Sequence, residues 1–362
     1  MTDDPTRTVS ADKLAALVTD LFAAAGLSQG AAAKIAADLV DADLAGLHSH
    51  GVMLVDMYIE RLQRGSVSKH EAGAIVSDHQ AAVVLDAGHA LGQLTGHQAM
   101  AIAISKALQF AAGIVTVRHG FHFGTAGQYA LQAANAGCIG IAMCNTRPLM
   151  PAPGGGERVV GNNPIAIAVP TAGEIPIVLD MATSEAAMGK IRMAAKTKES
   201  IPATWAVTAK GVPTTDPADA IAGMLLPCGG AKGFGLSFLI DLLCGLLSQG
   251  AIGAQVRPLY GDLSLPYDCS HLFIAIDVAH FCDIDWFRTG AAAAAEQIRS
   301  GERAPGVPQV FTPGEPEWRR RQSAAGRITL EPSVIAMLER FAGNLGVATD
   351  LSDEPVKETR HA

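Results

Sequence analysis

Between residues 81 and 180 the chain repeats one pattern, in which short, β-branched apolar runs are mostly separated by Ala-rich stretches of helical spacing. The runs are Ala82 to Asp86, Gly113 to Val117, Ile139 to Met143, Ile165 to Val169 and Ile177 to Leu179. They are nearly continuous in hydrophobicity, as expected of strands covered on both faces, and so point to an α/β fold without separating a parallel from a mixed sheet. A later run, Ile274 to Asp277, adds another strand.

The N-terminal region reads differently. Ser10 precedes Leu14, Leu17, Val18 and Leu21 at helical spacing and Gly26 follows as a stop, so Ser10 to Ala25 is a capped helix. Ser28 caps a second helix, with Ile35, Leu39, Val40 and Leu44 on one face, which ends near Gly46 and presents Leu47-His48-Ser49-His50-Gly51 at its exit. Val52 to Leu62 is again helical, and a hinge-like Gly65-Ser66 leads to the changed pattern from about Ile75. A chain of 362 residues exceeds one comfortable core. The expected division is therefore 1–74, the helical start of a first domain; 75–289, the α/β region; 290–350, C-terminal helices packing back on the first domain; and 351–362, a disordered tail.

The formal net charge is -8 with Lys and Arg scattered, which disfavours nucleic-acid binding. Six cysteines without a C-x-x-C pair read as reduced core residues, and Met1-Thr2-Asp3-Asp4-Pro5 lacks the basic-then-apolar order of a signal peptide, so a cytoplasmic protein is expected. The most apolar stretch, Leu236 to Leu247, is interrupted by Ser237 and Asp241 and is shorter than the roughly 20 residues of a membrane span, so it reads as a buried helix.

Gly26-Leu27-Ser28-Gln29-Gly30 has the letters of a hydrolase nucleophile elbow, but a helix rather than a strand precedes the serine, and Ser28 is a cap. Neither G-x-G-x-x-G nor a P-loop occurs, so a dinucleotide would have to bind without the Rossmann turn. His48-x-His50 could share a metal, could be solvated, or could do acid–base chemistry. His119-Gly120-Phe121-His122-Phe123-Gly124 follows a strand end, where ligands commonly sit in open sheets, or is a packed loop. Gly154-Gly155-Gly156 and Gly161-Asn162-Asn163-Pro164 offer backbone N–H groups to an anion, or are ordinary turns. Asp180, closing Ile177-Val178-Leu179 at a buried strand end, is a helix N-cap for the segment starting at Met181, a partner for a histidine, or both. Lys232, among the glycines of Gly229-Gly230-Ala231-Lys232-Gly233, can meet a phosphate or carboxylate, or is solvated.

Taken in order, Ser49-His50-Gly51-Val52, His122-Phe123-Gly124 with Ala126-Gly127, Gly161 to Ala166, and Leu179-Asp180-Met181-Ala182-Thr183-Ser184 resemble the malate/L-lactate dehydrogenase family, the type that includes ureidoglycolate, sulfolactate and diketogulonate dehydrogenases and piperideine-carboxylate reductase. Gly189-Lys190-Ile191, Thr214 to Pro217, Leu225-Leu226-Pro227, Gly229-Gly230 and Pro313-Gly314-Glu315 continue the resemblance over nearly the whole chain. It implies a non-Rossmann nicotinamide-binding sheet domain with a helical domain formed by the N- and C-terminal segments, a homodimer built through 75–289, and an NAD- or NADP-dependent enzyme moving a hydride to or from a small 2-oxo or 2-hydroxy acid. It further implies that His50 donates the proton in a relay with Ser49 and Asp180, the carboxylate raising the imidazole pKa, and that His122 is a second acid–base candidate. Thr146, Asp180, Met181, Ala182, Lys232, Pro313, Gly314 and Glu315 would line the cofactor site; Arg147, His48 and Asn162 would contact substrate; no metal is called for.

Where many members carry a carboxylate-gripping arginine four residues after the Ser-His histidine, this chain has Leu54. Arg147 is the expected replacement, since bidentate carboxylate recognition favours a guanidinium. His119-Gly120-Phe121 replaces a commonly polar stretch and implies a bulkier or more apolar substrate pocket. Two alternatives stand beside this reading: a metal-dependent hydrolase using His48 and His50, and a catalytically lapsed relative that only binds.

Overall fold

The structure, a computed structural model, describes residues 6–352. Its first elements are β1 (Arg7–Ser10), α1 (Ala11–Ala24), α2 (Gln29–Leu44) and α3 (Val55–Arg64). Then come β2 (Ala74–His79), β3 (Ala82–Asp86), α4 (Gly92–Phe110), β4 (Ala112–Gly120), α5 (Gly127–Asn135), β5 (Cys138–Cys144), β6 (Ile165–Val169) and β7 (Ile177–Met181). After these follow α6 (Met188–Thr197), β8 (Ala206–Val207), α7 (Pro217–Ala222), β9 (Met224–Leu225), α8 (Ala231–Ser248), β10 (Cys269–Asp277) and α9 (Ile284–Arg299). The last are α10 (Glu315–Ala324), β11 (Arg327–Leu330) and α11 (Pro332–Leu345).

The chain forms two compact units, one of residues up to Gly65 and from Pro316 onward, the other of Ser66–Glu315. The division thus falls at the hinge-like Gly65-Ser66 rather than at 74/75. Residues 290–315, expected with the terminal helices, belong instead to the second unit, where α9 is bonded to the loop between β6 and β7 and the loop after α9 to β7 itself. Ala172 N donates to Arg288 O at 3.1 Å and Val178 N to Pro313 O at 3.1 Å. Of the tail expected to be disordered, Leu351 is buried, and residues from 353 on lie outside the described ones.

In the first unit β1 pairs antiparallel with β11, which ties the start of the chain to its end. The amphipathic faces of α1 and α2 bury Leu14, Leu21, Phe22, Ile35 and Leu39, and α3 adds Tyr58 and Ile59. Each such side chain contributes about 1.5–3 kcal/mol on leaving water. Ser28 caps α2 as expected, its hydroxyl accepting from Ala31 N at 3.2 Å. Ser10 precedes α1 but makes no side-chain cap, because it is already the last ladder residue of β1.

The second unit is built on a seven-stranded sheet in the order β2-β3-β4-β10-β5-β6-β7. Only β3 and β4 run parallel; every other pairing is antiparallel. α4 and α5 pack on it, and α8 meets β4, β5 and β10. A smaller core of Met150, Val160, Ile191, Ile201, Ala206 and Leu225 gathers around the β8–β9 pair.

α8 departs from the buried helix that the sequence implied. By length and composition it could cross a membrane, the only such helix among the described residues. One face, with Ser237, Ile240, Asp241 and Cys244, is buried, while Leu239, Leu246 and Leu247 on the other are each more than half exposed. The helix is apolar all round, so periodicity carried no sign of which face the sheet would leave open.

Candidate active site

In the first unit the Ser-His-Gly-Val segment is held by a carboxylate that sequence reading passed over. Asp43, in the last turn of α2 and buried, accepts from Val52 N at 2.8 Å with one oxygen and meets His48 Nδ1 at 2.8 Å with the other. Gly51 makes this possible: a Cβ there would stand 2.2 Å from an Asp43 carboxylate oxygen. Ser49 Oγ bonds His50 Nδ1 at 2.9 Å. The pKa values of the two histidines are therefore pushed in opposite directions. The hydrogen bond to Asp43 holds the His48 imidazole above its ordinary pKa, whereas burial pushes that of half-buried His50 down. The expectation of a raised His50 pKa is thus not met, because desolvation dominates and the ring's Nδ1 partner is a neutral hydroxyl. A pair of adjacent titratable groups pushed apart in this way is typical of an acid–base site. Leu54, at the missing arginine's position, is buried in the core.

In the second unit, register assembles one end of the sheet. Met143 lies opposite Ile165, Ile165 opposite Met181, Cys144 opposite His271 and Cys269 opposite Gly120. Residues 120–122, 144–147, 162–165, 180–183 and 269–271 therefore emerge together. Thr146 is knitted to the Gly-Asn loop: its N–H donates to Asn163 Oδ1 at 2.8 Å, its hydroxyl lies 3.1 Å from Asn162 Oδ1, and Asn162 N donates to that hydroxyl at 3.1 Å. Buried Asn163 also donates to Ser237 O at 2.9 Å, locking the loop to α8. Thr183 N donates to Asn162 O at 3.2 Å, and Cys228 N to Thr183 O at 2.9 Å, which brings the Gly229–Gly230 turn into the same neighbourhood.

Asp180 is exposed rather than buried, because β7 is the edge strand. It does not cap a helix starting at Met181, which still belongs to β7; its carboxylate instead accepts from Gly127 N at 2.7 Å, at the start of α5. A carboxylate there complements the helix dipole. Lys232 is exposed in the first turn of α8, whose N-terminus has no side-chain cap, and it makes no ion pair among the described residues. Gly314, at φ +83°, lies so close to β7 that a Cβ would meet Val178 Cγ1 at 2.4 Å. Glu315 is fully buried, and its carboxylate accepts from Thr312 N at 3.1 Å and Oγ1 at 3.0 Å, so it shapes the Pro313–Glu315 turn from inside.

His122 is half-buried between Phe121 and Phe123, which are buried and anchor the loop. Phe123 stacks on His271 at 4.6 Å and on Tyr129 at 5.0 Å. His119 is not a loop residue but the end of β4, bonded to Asp86 at 3.0 Å beside Arg118. Arg147 is half-buried, and among the described residues its guanidinium makes no hydrogen bond or ion pair. Burial, and then the charges of Arg158 and Arg192, hold its pKa below the usual guanidinium value. Both neighbours are engaged: Arg158 donates to Ala222 O and Gly223 O, and Arg192 lies over the Tyr260 ring at 5.2 Å.

The sequence pattern of the malate/L-lactate dehydrogenase family matches residues 9–339. The chain is 36% identical to the malate dehydrogenase of Pyrococcus abyssi over 312 residues, covering 84% of this chain and 85% of the relative. It is 36% identical to the ureidoglycolate dehydrogenase (NAD(+)) of Escherichia coli K12 over 317 residues, covering 88% of this chain and 90% of the relative. Among solved structures, the sulfolactate dehydrogenase of Methanocaldococcus jannaschii superposes with a TM-score of 0.89 at 34% identity, covering 94% of this chain and 98% of that one.

Proposed function

The chain belongs to the malate/L-lactate dehydrogenase family, and from that membership we propose that it is a cytoplasmic NAD- or NADP-dependent oxidoreductase acting at the 2-position of a small 2-hydroxy or 2-oxo acid. The observation that carries the acid in this reading is Arg147. A half-buried guanidinium that makes no ion pair among the described residues and lies in the positive field of two further arginines favours a carboxylate partner. Three features suit a dinucleotide: the open N-terminus of α8 with Lys232 in its first turn favours phosphate, the Thr146–Asn162 linkage presents polar edges, and Gly314 lets the Pro313–Glu315 turn lie flat on β7. Asp180, Met181 and Ala182 would border the same group.

When bound, the nicotinamide supplies or takes up the hydride at the substrate 2-carbon. The chain's own part is proton transfer and positioning. Ser49 holds the His50 ring through Nδ1, and the imidazole would give a proton to the forming alkoxide in reduction or take the hydroxyl proton in oxidation. His48, whose pKa the bond to Asp43 raises, and Asn162 are the further candidates for substrate contact, and His122 is a second candidate proton carrier.

The test is turnover over a panel of 2-hydroxy and 2-oxo acids with both cofactors, followed across pH. Because the His50 pKa is lowered in the free enzyme, the imidazole is neutral at neutral pH, the form oxidation needs. The kcat/KM for oxidation should rise with pH only below about 6.5 and stay level above it, while that for reduction falls over the same acid range as the proton is lost. An oxidation profile still rising through pH 8 would remove His50 as the base, and failure to turn over any acid with either cofactor would sink the reading itself.

The exposed apolar face of α8 supports a homodimer, since a face with Leu239, Leu246 and Leu247 more than half exposed is unusual unless covered. Light scattering should give twice the 37.4 kDa chain mass, and Leu239→Glu with Leu246→Glu should halve it. Six free cysteines agree with a reducing compartment.

A further inference from the structure

The same end of the sheet holds a second cluster, to which the proposed reaction gives no role. Cys144 ends β5, and Cys269 and His271 open β10. In the antiparallel ladder Cys144 stands directly opposite His271, and opposed residues project from the same sheet face. Cys269, two residues earlier on its strand and across a register shift against β4, is brought to the same group. Two sulfurs and one imidazole nitrogen thus lie within 4.8 Å of one another, Cys269 Sγ being 3.2 Å from His271 Nε2. All three residues are at most 4% exposed. Among the described residues no other group of three or more His, Cys, Asp or Glu ligand atoms is gathered in this way.

We propose that Cys144, Cys269 and His271 form a buried three-donor site for a thiophilic d10 cation, zinc(II) or copper(I). Metal–sulfur bonds of about 2.3 Å and metal–nitrogen bonds of about 2.0–2.1 Å place donors around one zinc ion within roughly 4 Å of each other, so the three side chains need only small movements to close on it. Thiolate and imidazole donors select these ions over magnesium or calcium, which prefer oxygen. Binding releases the two thiol protons to solvent and moves no electrons. The ion would pin β5 to β10 directly behind Thr146, two residues beyond Cys144. Through the Phe123 ring stacked on His271 it would also brace the loop that carries His122. The site does not depend on the enzymatic reading.

The test uses the full chain, reduced and stripped with a chelator, then exposed to buffered zinc(II) or copper(I) in separate arms and desalted. One ion per chain by elemental analysis, in one arm or both, supports the site and identifies the cation. Cobalt(II) in place of zinc should give the intense near-ultraviolet absorption of cobalt–thiolate bonds, and the preferred ion should raise the thermal midpoint. Cys144→Ser and Cys269→Ala should each weaken binding at least tenfold, while Cys282→Ser, outside the cluster, should leave it unchanged. Retention of no ion by the folded wild-type protein in either arm overturns the proposal. So does binding that survives both cluster substitutions, or, where zinc is the ion retained, a cobalt spectrum of the wild-type chain without thiolate absorption, a readout that needs no variant to fold.

Discussion

Replacing His50 by alanine is expected to slow turnover of every accepted 2-oxo or 2-hydroxy acid by about a hundredfold or more, with cofactor affinity nearly unchanged. The size is that of a lost general acid or base, about 2.7 kcal/mol of transition-state stabilisation per hundredfold. The expectation is specific to this imidazole because its neighbour is differently committed. His48 is exposed and bonded through Nδ1 to buried Asp43, so His48→Ala should chiefly raise KM. Ser49→Ala removes one neutral hydrogen bond to His50 Nδ1, worth about 1 kcal/mol, and should cost about fivefold. Steady-state kinetics with cofactor binding followed by fluorescence separates these outcomes. A His50→Ala enzyme with wild-type kcat would mean that the proton moves elsewhere, with His122 the next residue to replace.

Much of this arrangement was legible from residue order. β3 and β6 match the expected runs Ala82 to Asp86 and Ile165 to Val169 end for end, because each is apolar and bounded by turn residues. The family resemblance was equally legible, and the comparisons bear it out. Other features were not. β1 and β11 are four-residue strands whose pairing joins sequence positions more than 300 apart, and local periodicity says nothing of such contacts. β2 is an edge strand with Ile75 and Val76 exposed, so its side chains do not alternate in the expected way. Asp180 read as buried because the run before it is apolar, yet β7 closes the sheet and leaves it open.

The candidate site shows the same split. Ser49, His50, Thr146 and Asn162 stand out as motif letters, and each makes the kind of bond its type suggests. Asp43 escaped notice, and Asn163 was read only as part of a Gly/Asn loop, because the backbone N–H groups they hold are brought close only by folding. Asp43 did carry a signal: a carboxylate on the buried face of α2, beside Leu39, Val40 and Ala42, needs a partner, and the next polar turn supplies one. The Cys144–Cys269–His271 group had no signal in spacing, since two of its members are two residues apart and the third lies 125 residues earlier than Cys269.

Arg147→Ala is the second large effect expected, a loss in kcat/KM of about tenfold to a hundredfold for every 2-oxo acid, carried mainly by KM. A hydrogen bond to a charged group is worth about 1.5–3 kcal/mol, and a bidentate guanidinium–carboxylate pair sits at the upper end. Two features make Arg147 the residue to test. Leu54 occupies the place of the family's usual arginine and is 1% exposed, so that position offers substrate no charge. Arg158 and Arg192 are already engaged, by backbone carbonyls and by the Tyr260 ring, whereas Arg147 makes no hydrogen bond or ion pair among the described residues. Arg147→Lys keeps the charge but loses the fork, so it should recover only part of the affinity. Removing a half-buried charge that makes no ion pair among the described residues should leave the folded protein as stable as before or slightly more so, and an unchanged or raised thermal midpoint would exclude misfolding as the cause. If KM for all accepted acids is the same in Arg147→Ala and wild type, the carboxylate is held by another group, and the compensation for Leu54 lies elsewhere in the chain.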